Sequence, residues 1–125
     1  MGGRSARQGR ILPACGRTHA AAIEMLKPGV PISEVVAATR RTAENAGVTL
    51  HCPRIGHGIG LDYGEKPLLT ENNNRVLEAG NVVEVHIQFN LPGTGGFYVP
   101  LGDVCHVTRD GVEVFTKFPL ESFRA

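Results

Sequence analysis

At 125 residues the chain has room for one domain with a core, and it is shorter than a two-lobed hydrolase. Its 13 Lys and Arg nearly balance 12 Asp and Glu, so charge gives no reason to expect a nucleic acid or a membrane surface as partner, and no apolar run reaches the roughly 18 residues of a membrane span. Three cysteines, Cys15, Cys52 and Cys105, show no CxxC spacing; they signal neither a disulfide framework nor a structural zinc site and fit a reducing, cytoplasmic compartment.

In chain order, Arg4, Arg7, Arg10 and Arg17 precede the first acid, Glu24, and residues 1–13 read as a flexible, basic, solvated terminus. From Ala14 to Leu26 the apolar positions Ala20, Ile23 and Leu26 recur at helical spacing, and Lys27-Pro28-Gly29 ends that helix. A second helix follows, with Pro31 in its first turn and Glu34 facing the positive end of its dipole. Val35, Val36, Thr39, Ala43 and Ala46 line one side, and Gly47 stops it. Beyond Gly47 the period shortens to that of strands, expected at Val48 to Leu50, Asn81 to Phe89, Phe97 to Val99, Asp103 to Thr108 and Val112 to Thr116. Helices first and strands after indicate an α+β fold.

Two segments carry chemistry. In Arg54-Ile55-Gly56-His57-Gly58-Ile59-Gly60-Leu61 a histidine sits between glycines, in an expected turn, with little beside it to block approach to a metal or a substrate; a turn without chemistry has the same appearance. Within Asn81 to Phe89 the residues alternate, so that Glu84, His86 and Gln88 share one face and Val83, Val85, Ile87 and Phe89 the other. The polar row faces solvent or lines a cleft. If it lines a cleft, Glu84 and His86 are natural partners for His57, and two histidines with a carboxylate suffice for a weak divalent-metal site. The expected catalytic residues are thus His57 and Glu84, the expected metal ligands His57 and His86.

The motifs resemble the second half of the pita-bread domain shared by aminopeptidase P, prolidase, creatinase and methionine aminopeptidase, with the aminopeptidase P and prolidase branch nearest. The resemblance rests on Lys27-Pro28-Gly29-Val30, on Gly56-His57-Gly58-Ile59-Gly60-Leu61-Asp62 with Glu65-Lys66-Pro67, on Leu77-Glu78-Ala79-Gly80-Asn81-Val82-Val83, and on Val107-Thr108, Asp110-Gly111 and Val114-Phe115-Thr116. It implies a partial pita-bread domain over residues 14–118, two helices followed by a curved, mainly antiparallel sheet, with a tail at 119–125. It also implies a metal-dependent aminopeptidase or dipeptidase acting on Xaa-Pro substrates. Such proteins use two aspartates, a histidine and two glutamates to hold a pair of divalent ions, manganese, zinc or cobalt, that activate a bridging water.

The ligands implied by that resemblance transfer unevenly. His57 falls at the family histidine. His86 falls where the first glutamate is expected, and Gly102, in Pro100-Leu101-Gly102-Asp103, where the second is expected. The two aspartates belong to strands upstream of the matched region. A histidine expected after the Gly-His-Gly motif aligns with Gly64, and one expected before it aligns with Pro53, for which His51 is a nearby substitute; His51 and Tyr63 are the expected substrate contacts. The implied ligand is a peptide or a small carboxylated molecule. The expected activity is that of a truncated or degenerate family member with little hydrolysis of its own. The readings set beside it are a non-catalytic peptide- or protein-binding module and a single-metal enzyme that is not a peptidase. Half of such a fold exposes sheet edge and apolar surface, so a homodimer or a separate N-terminal half is expected as partner.

Overall fold

The computed structural model describes residues 6–59, 68–90 and 98–115, with side chains described from residue 11 onward. Helix α1 spans Ala6–Glu24 and helix α2 Ile32–Asn45; strands β1 Gly56–Gly58, β2 Val82–Asn90, β3 Tyr98–Thr108 and β4 Gly111–Val114 follow. The strands form one antiparallel sheet in the order β1-β2-β3-β4. The α+β expectation, helices before strands, therefore holds.

Alternation along β2 decides which face of the sheet is covered. Val83, Val85, Ile87 and Phe89 are fully buried and join Leu101, Cys105 and Val107 of β3 beneath the helices. Helix α1 lies across β2, β3 and β4, and α2 packs on α1. Each of these buried side chains contributes about 1.5–3 kcal/mol relative to exposure, which outweighs the weak helix propensity of the β-branched residues in α2. The opposite face of the sheet carries Glu84, His86 and Gln88.

Helix α1 begins before Ala14, within the segment expected to be a basic terminus, and holds Pro13 in its interior. Proline costs a helix one main-chain hydrogen bond. Here the apolar stripe continues through it, with Ile11, Ala14 and Cys15 all buried in the core. Helix α2 matches its expected extent closely. Its N-cap, Pro31, supplies no side-chain cap; instead the amides of Ile32 and Ser33 donate to the carbonyls of Arg75 (2.8 Å) and Asn73 (2.7 Å), so the loop after β1 closes the helix start. Gly47, at φ 82°, adopts the left-handed conformation that ends the helix, and the Val48 amide donates to Ala43 at 2.9 Å.

The strand expectations need three corrections. Gly56-His57-Gly58 is a strand, not a turn, pairing Gly56 with Val85, His57 with Glu84 and Gly58 with Val83. Tyr98 and Val99, from the segment expected as a strand at Phe97 to Val99, run on into the one expected at Asp103 to Thr108 as a single strand, β3, because Pro100 and Gly102 sit opposite Gln88 and His86 without breaking the register. The segment Val48 to Leu50 contributes only an isolated bridge, Leu50 with Phe89, supported by His51 N–H donating to Gln88 O (2.6 Å) and Asn90 N–H donating to Thr49 O (3.0 Å).

Candidate active-site face

Strand register assembles the site on the open face of the sheet. His57 of β1 lies directly opposite Glu84 of β2, and His86, two residues on, lies opposite Gly102 of β3. A residue and its cross-strand partner project to the same face, so one row runs from His57 and Glu84 through His86 to Gln88, with Gly102 and Pro100 alongside. His57 Nε2 stands 3.1 Å from Glu84 Oε1, and its Nδ1 stands 3.0 Å from the Gly58 carbonyl oxygen. The sequence pointed to both residues; the register brings them into contact.

His86 is exposed, and its Cδ2 lies 3.4 Å from where a Cβ on Gly102 would be. The missing side chain at 102 is therefore space that the imidazole borders. His51 is also exposed; it stacks on Tyr98 with centroids 4.7 Å apart and planes 11° from parallel, and its Nδ1 is 2.7 Å from Asn90 Oδ1. That contact sets a flat, polar-rimmed aromatic platform at the far end of the row from His57. Tyr63, Gly64 and Phe97 lie outside the described residues.

The glycine before His57 has a structural duty. A Cβ at Gly56 would fall 2.1 Å from the Glu84 carbonyl oxygen and 2.9 Å from Leu69 Cδ1, so only glycine lets β1 approach β2 closely enough to bring His57 to Glu84. His57 is also bridged on its outer side to Leu68, whose neighbour Leu69 is buried and exchanges main-chain hydrogen bonds with Ile55 and Gly56 at 3.0 Å.

A second polar contact lies on the opposite side of β3. His19, 6% exposed, meets Asp103 Oδ2 through its Nε2 at 2.8 Å, linking α1 to the strand beside Gly102. Burial lowers the His19 pKa below its ordinary 6.5, an effect that the Asp103 carboxylate only partly offsets. Its Nδ1 is buried without a hydrogen-bond partner. Sequence reasoning missed this pair. Asp103 opens an expected strand, but nothing in the local pattern marked His19 as its partner.

The three cysteines are free thiols. Cys15 and Cys105 are buried and their pKa values are pushed up to about 12 by desolvation, which makes them inert packing groups; Cys52 is half-buried.

The model of metallopeptidase family M24 matches residues 1–109. The chain belongs to metallopeptidase family M24. Among M24 relatives it is 37% identical over 100 residues to the putative dipeptidase YkvY of Bacillus subtilis, an alignment covering 79% of this chain and 27% of that protein. It is 34% identical over 98 residues to an uncharacterized peptidase of Staphylococcus aureus, again covering 27% of that protein. The Xaa-Pro dipeptidase from Bacillus anthracis superposes with a TM-score of 0.82 at 30% identity, over 95% of this chain and 33% of the other. Dipeptidase PepE from Mycobacterium ulcerans gives 0.84 at 29% identity, over 95% and 32%. A methionine aminopeptidase from Rickettsia prowazekii shares the fold at a TM-score of 0.76, with 55% of its length covered. The expected fold, half of a pita-bread domain, is thus established, and the chain spans about a quarter of the curated M24 relatives it matches.

The resemblance implies a pair of divalent ions held by carboxylates and a histidine. At the two positions where the resemblance implies glutamates, Gly102 has no side chain and His86 has an imidazole nitrogen in place of a carboxylate. Among the described residues no group of three or more His, Cys, Asp or Glu side chains is placed to hold a metal ion. The dinuclear arrangement does not fit the donor set of the described residues.

Proposed function

We propose that this M24 chain is the peptide-binding portion of an Xaa-Pro dipeptidase-like protein and that it hydrolyses little by itself. The observation that carries the reading is the His86 and Gly102 register pair. The two positions where the resemblance calls for glutamates face each other across β2 and β3, and neither bears a carboxylate. Hydrolysis by the route the resemblance implies needs a water held between two bridged ions, and an imidazole opposite a bare glycine supplies no carboxylate to bridge them. What remains suits recognition. His57 with Glu84 presents charge at one end of the open face, and the His51 and Tyr98 stack presents a flat surface at the other, of the kind on which a proline ring packs. His51 and Tyr63 are the proposed substrate contacts and a short peptide or small carboxylated molecule the proposed ligand.

Completion by a second chain, either another copy or an N-terminal half carrying the two aspartates, belongs to the same proposal. Ile59, Tyr98 and Phe115 are 42%, 44% and 56% exposed, more apolar surface than a lone half-domain gains by leaving in water. The free thiols agree with a cytoplasmic setting. Mixing the purified chain with an Xaa-Pro dipeptide and following both bound peptide and released proline tests the reading. Binding without turnover is expected, and efficient turnover contradicts it.

A further inference from the structure

Strand β1, three residues long, stands at the edge of the sheet, and residues 68 and 69 line its outer side. Leu69 N–H donates to Gly56 O and Ile55 N–H donates to Leu69 O, each at 3.0 Å, and Leu68 bridges His57. Because the main-chain groups of Leu69 face β1, the carbonyl of Leu68 faces the other way. There it accepts from Asn73 Nδ2 at 2.8 Å and from Thr70 N–H at 3.1 Å, while Asn73 Oδ1 accepts from Arg75 N–H at 2.9 Å. One partner of the Asn73 amide only accepts and the other only donates, so its orientation is fixed. The main chain of Asn73 is engaged as well: its carbonyl accepts from Ser33 N–H at the start of α2 (2.7 Å), and its N–H donates to Thr70 O (3.2 Å).

We propose that Asn73 is a positioning residue for His57: it clamps the 68–69 segment from outside, and that segment holds β1, with His57, against Glu84. A strand this short has few ladder bonds and opens locally unless both its edges are paired. Leu69 is buried, but Leu68 is an exposed apolar residue whose side chain gives the segment little hold, so the polar clamp on its carbonyl matters. With the segment fixed, the ring stands 3.1 Å from Glu84; with it released, β1 keeps only its pairing to β2. The link to ligand affinity rests on the peptide-binding reading of the open face. The placing of His57 does not, since it follows from the main-chain bonds alone.

Asn73→Asp separates the clamp from the turn. Aspartate keeps an oxygen to accept from Arg75 N–H and sets its charge at the favourable end of the α2 dipole, but it cannot donate to Leu68 O. The parent chain, Asn73→Asp and, as a control for added charge, Asn72→Asp at the exposed neighbour are compared by amide hydrogen exchange and by 15N NMR of the histidine rings. In Asn73→Asp the Ile55 and Leu69 amides are expected to exchange about tenfold faster while those of the β2 and β3 ladder keep their rates, and the His57 ring resonances shift. Asn72→Asp is expected to match the parent in both. An Xaa-Pro dipeptide should bind about fivefold more weakly to Asn73→Asp, and that loss should vanish in a His57→Ala background. Unmoved His57 resonances or unchanged Ile55 and Leu69 exchange in folded Asn73→Asp would overturn the assignment, as would a loss of affinity that persists in full without His57. Should Asn73→Asp fail to fold, the unaltered chain decides: the Asn73 side-chain amide protons exchange more slowly than those of Asn72 if the clamp exists, and equally fast if it does not. A parent chain that binds no peptide overturns the peptide-binding reading, and exchange with the ring resonances still decides the role of Asn73.

Discussion

Two residues fix how the open face is built. His57 stood out in the sequence because glycines flank it, and the natural reading of those glycines was access. The structure gives the first of them another reason, since any side chain at Gly56 meets the main chain of Glu84 at 2.1 Å. Backbone cannot step aside as a flexible side chain does. Gly56→Ala therefore pushes β1 off β2 and separates His57 from Glu84, at a cost of about 1–3 kcal/mol or more. The check is thermal unfolding: a clear fall in Tm is expected, and an unchanged Tm would show that the strands tolerate the wider spacing. Glu84 was legible as one of a polar row, whereas its contact with His57 depends on register between segments 27 positions apart in the chain, which periodicity along either segment does not encode.

At the scale of elements, local pattern served best where one signal acted alone. Helix α2 has a proline start, an apolar stripe and a glycine stop, and all three coincide in the structure. Strand β2 alternates cleanly because one face is buried and the other is not. The pattern misled where tertiary context overrode a punctuating residue. Pro13 does not end α1, since Ile11 has a place in the core, and Pro100 with Gly102 does not divide β3, since the ladder with β2 continues on either side. The contact of His19 with Asp103 joins α1 to β3 and carries a pH signature. The folded state holds His19 below its ordinary value of 6.5, so the unfolded chain takes up a proton first as pH falls. The stability contributed by neutral His19 is thus fully present above pH 6.5 and is lost as the pH drops through the depressed folded value. Unfolding midpoints measured from pH 7.5 down to pH 5 should decline, and His19→Gln should flatten that decline. An equal slope in the variant would assign the pH dependence to other groups.

For the whole molecule, the family was legible because motif order carries through a short chain: the Lys27-Pro28-Gly29 stop, the Gly-His-Gly strand and the Gly80 turn into β2 follow one another within residues 1–109, the stretch that the M24 model matches. Less legible was the pairing on the open face, because Gly102 and His86 are unremarkable in isolation and are brought together only as partners across two strands. A four-stranded sheet covered by helices on one side leaves its other side, with Tyr98 and Phe115, without a covering layer among the described residues. Sedimentation of the purified chain at micromolar concentration is expected to show self-association or conformational instability; a stable, well-folded monomer would count against a need for a second half.

The most direct measurement of function is hydrolysis of an Xaa-Pro dipeptide by the purified chain with added manganese, run beside His57→Ala and beside calorimetric binding of the same peptide. Binding weakened by His57→Ala, with proline release no faster than in enzyme-free controls, is the expected result. Rapid proline release that disappears in His57→Ala would contradict it and would mean that the M24 chemistry persists without carboxylates at 86 and 102.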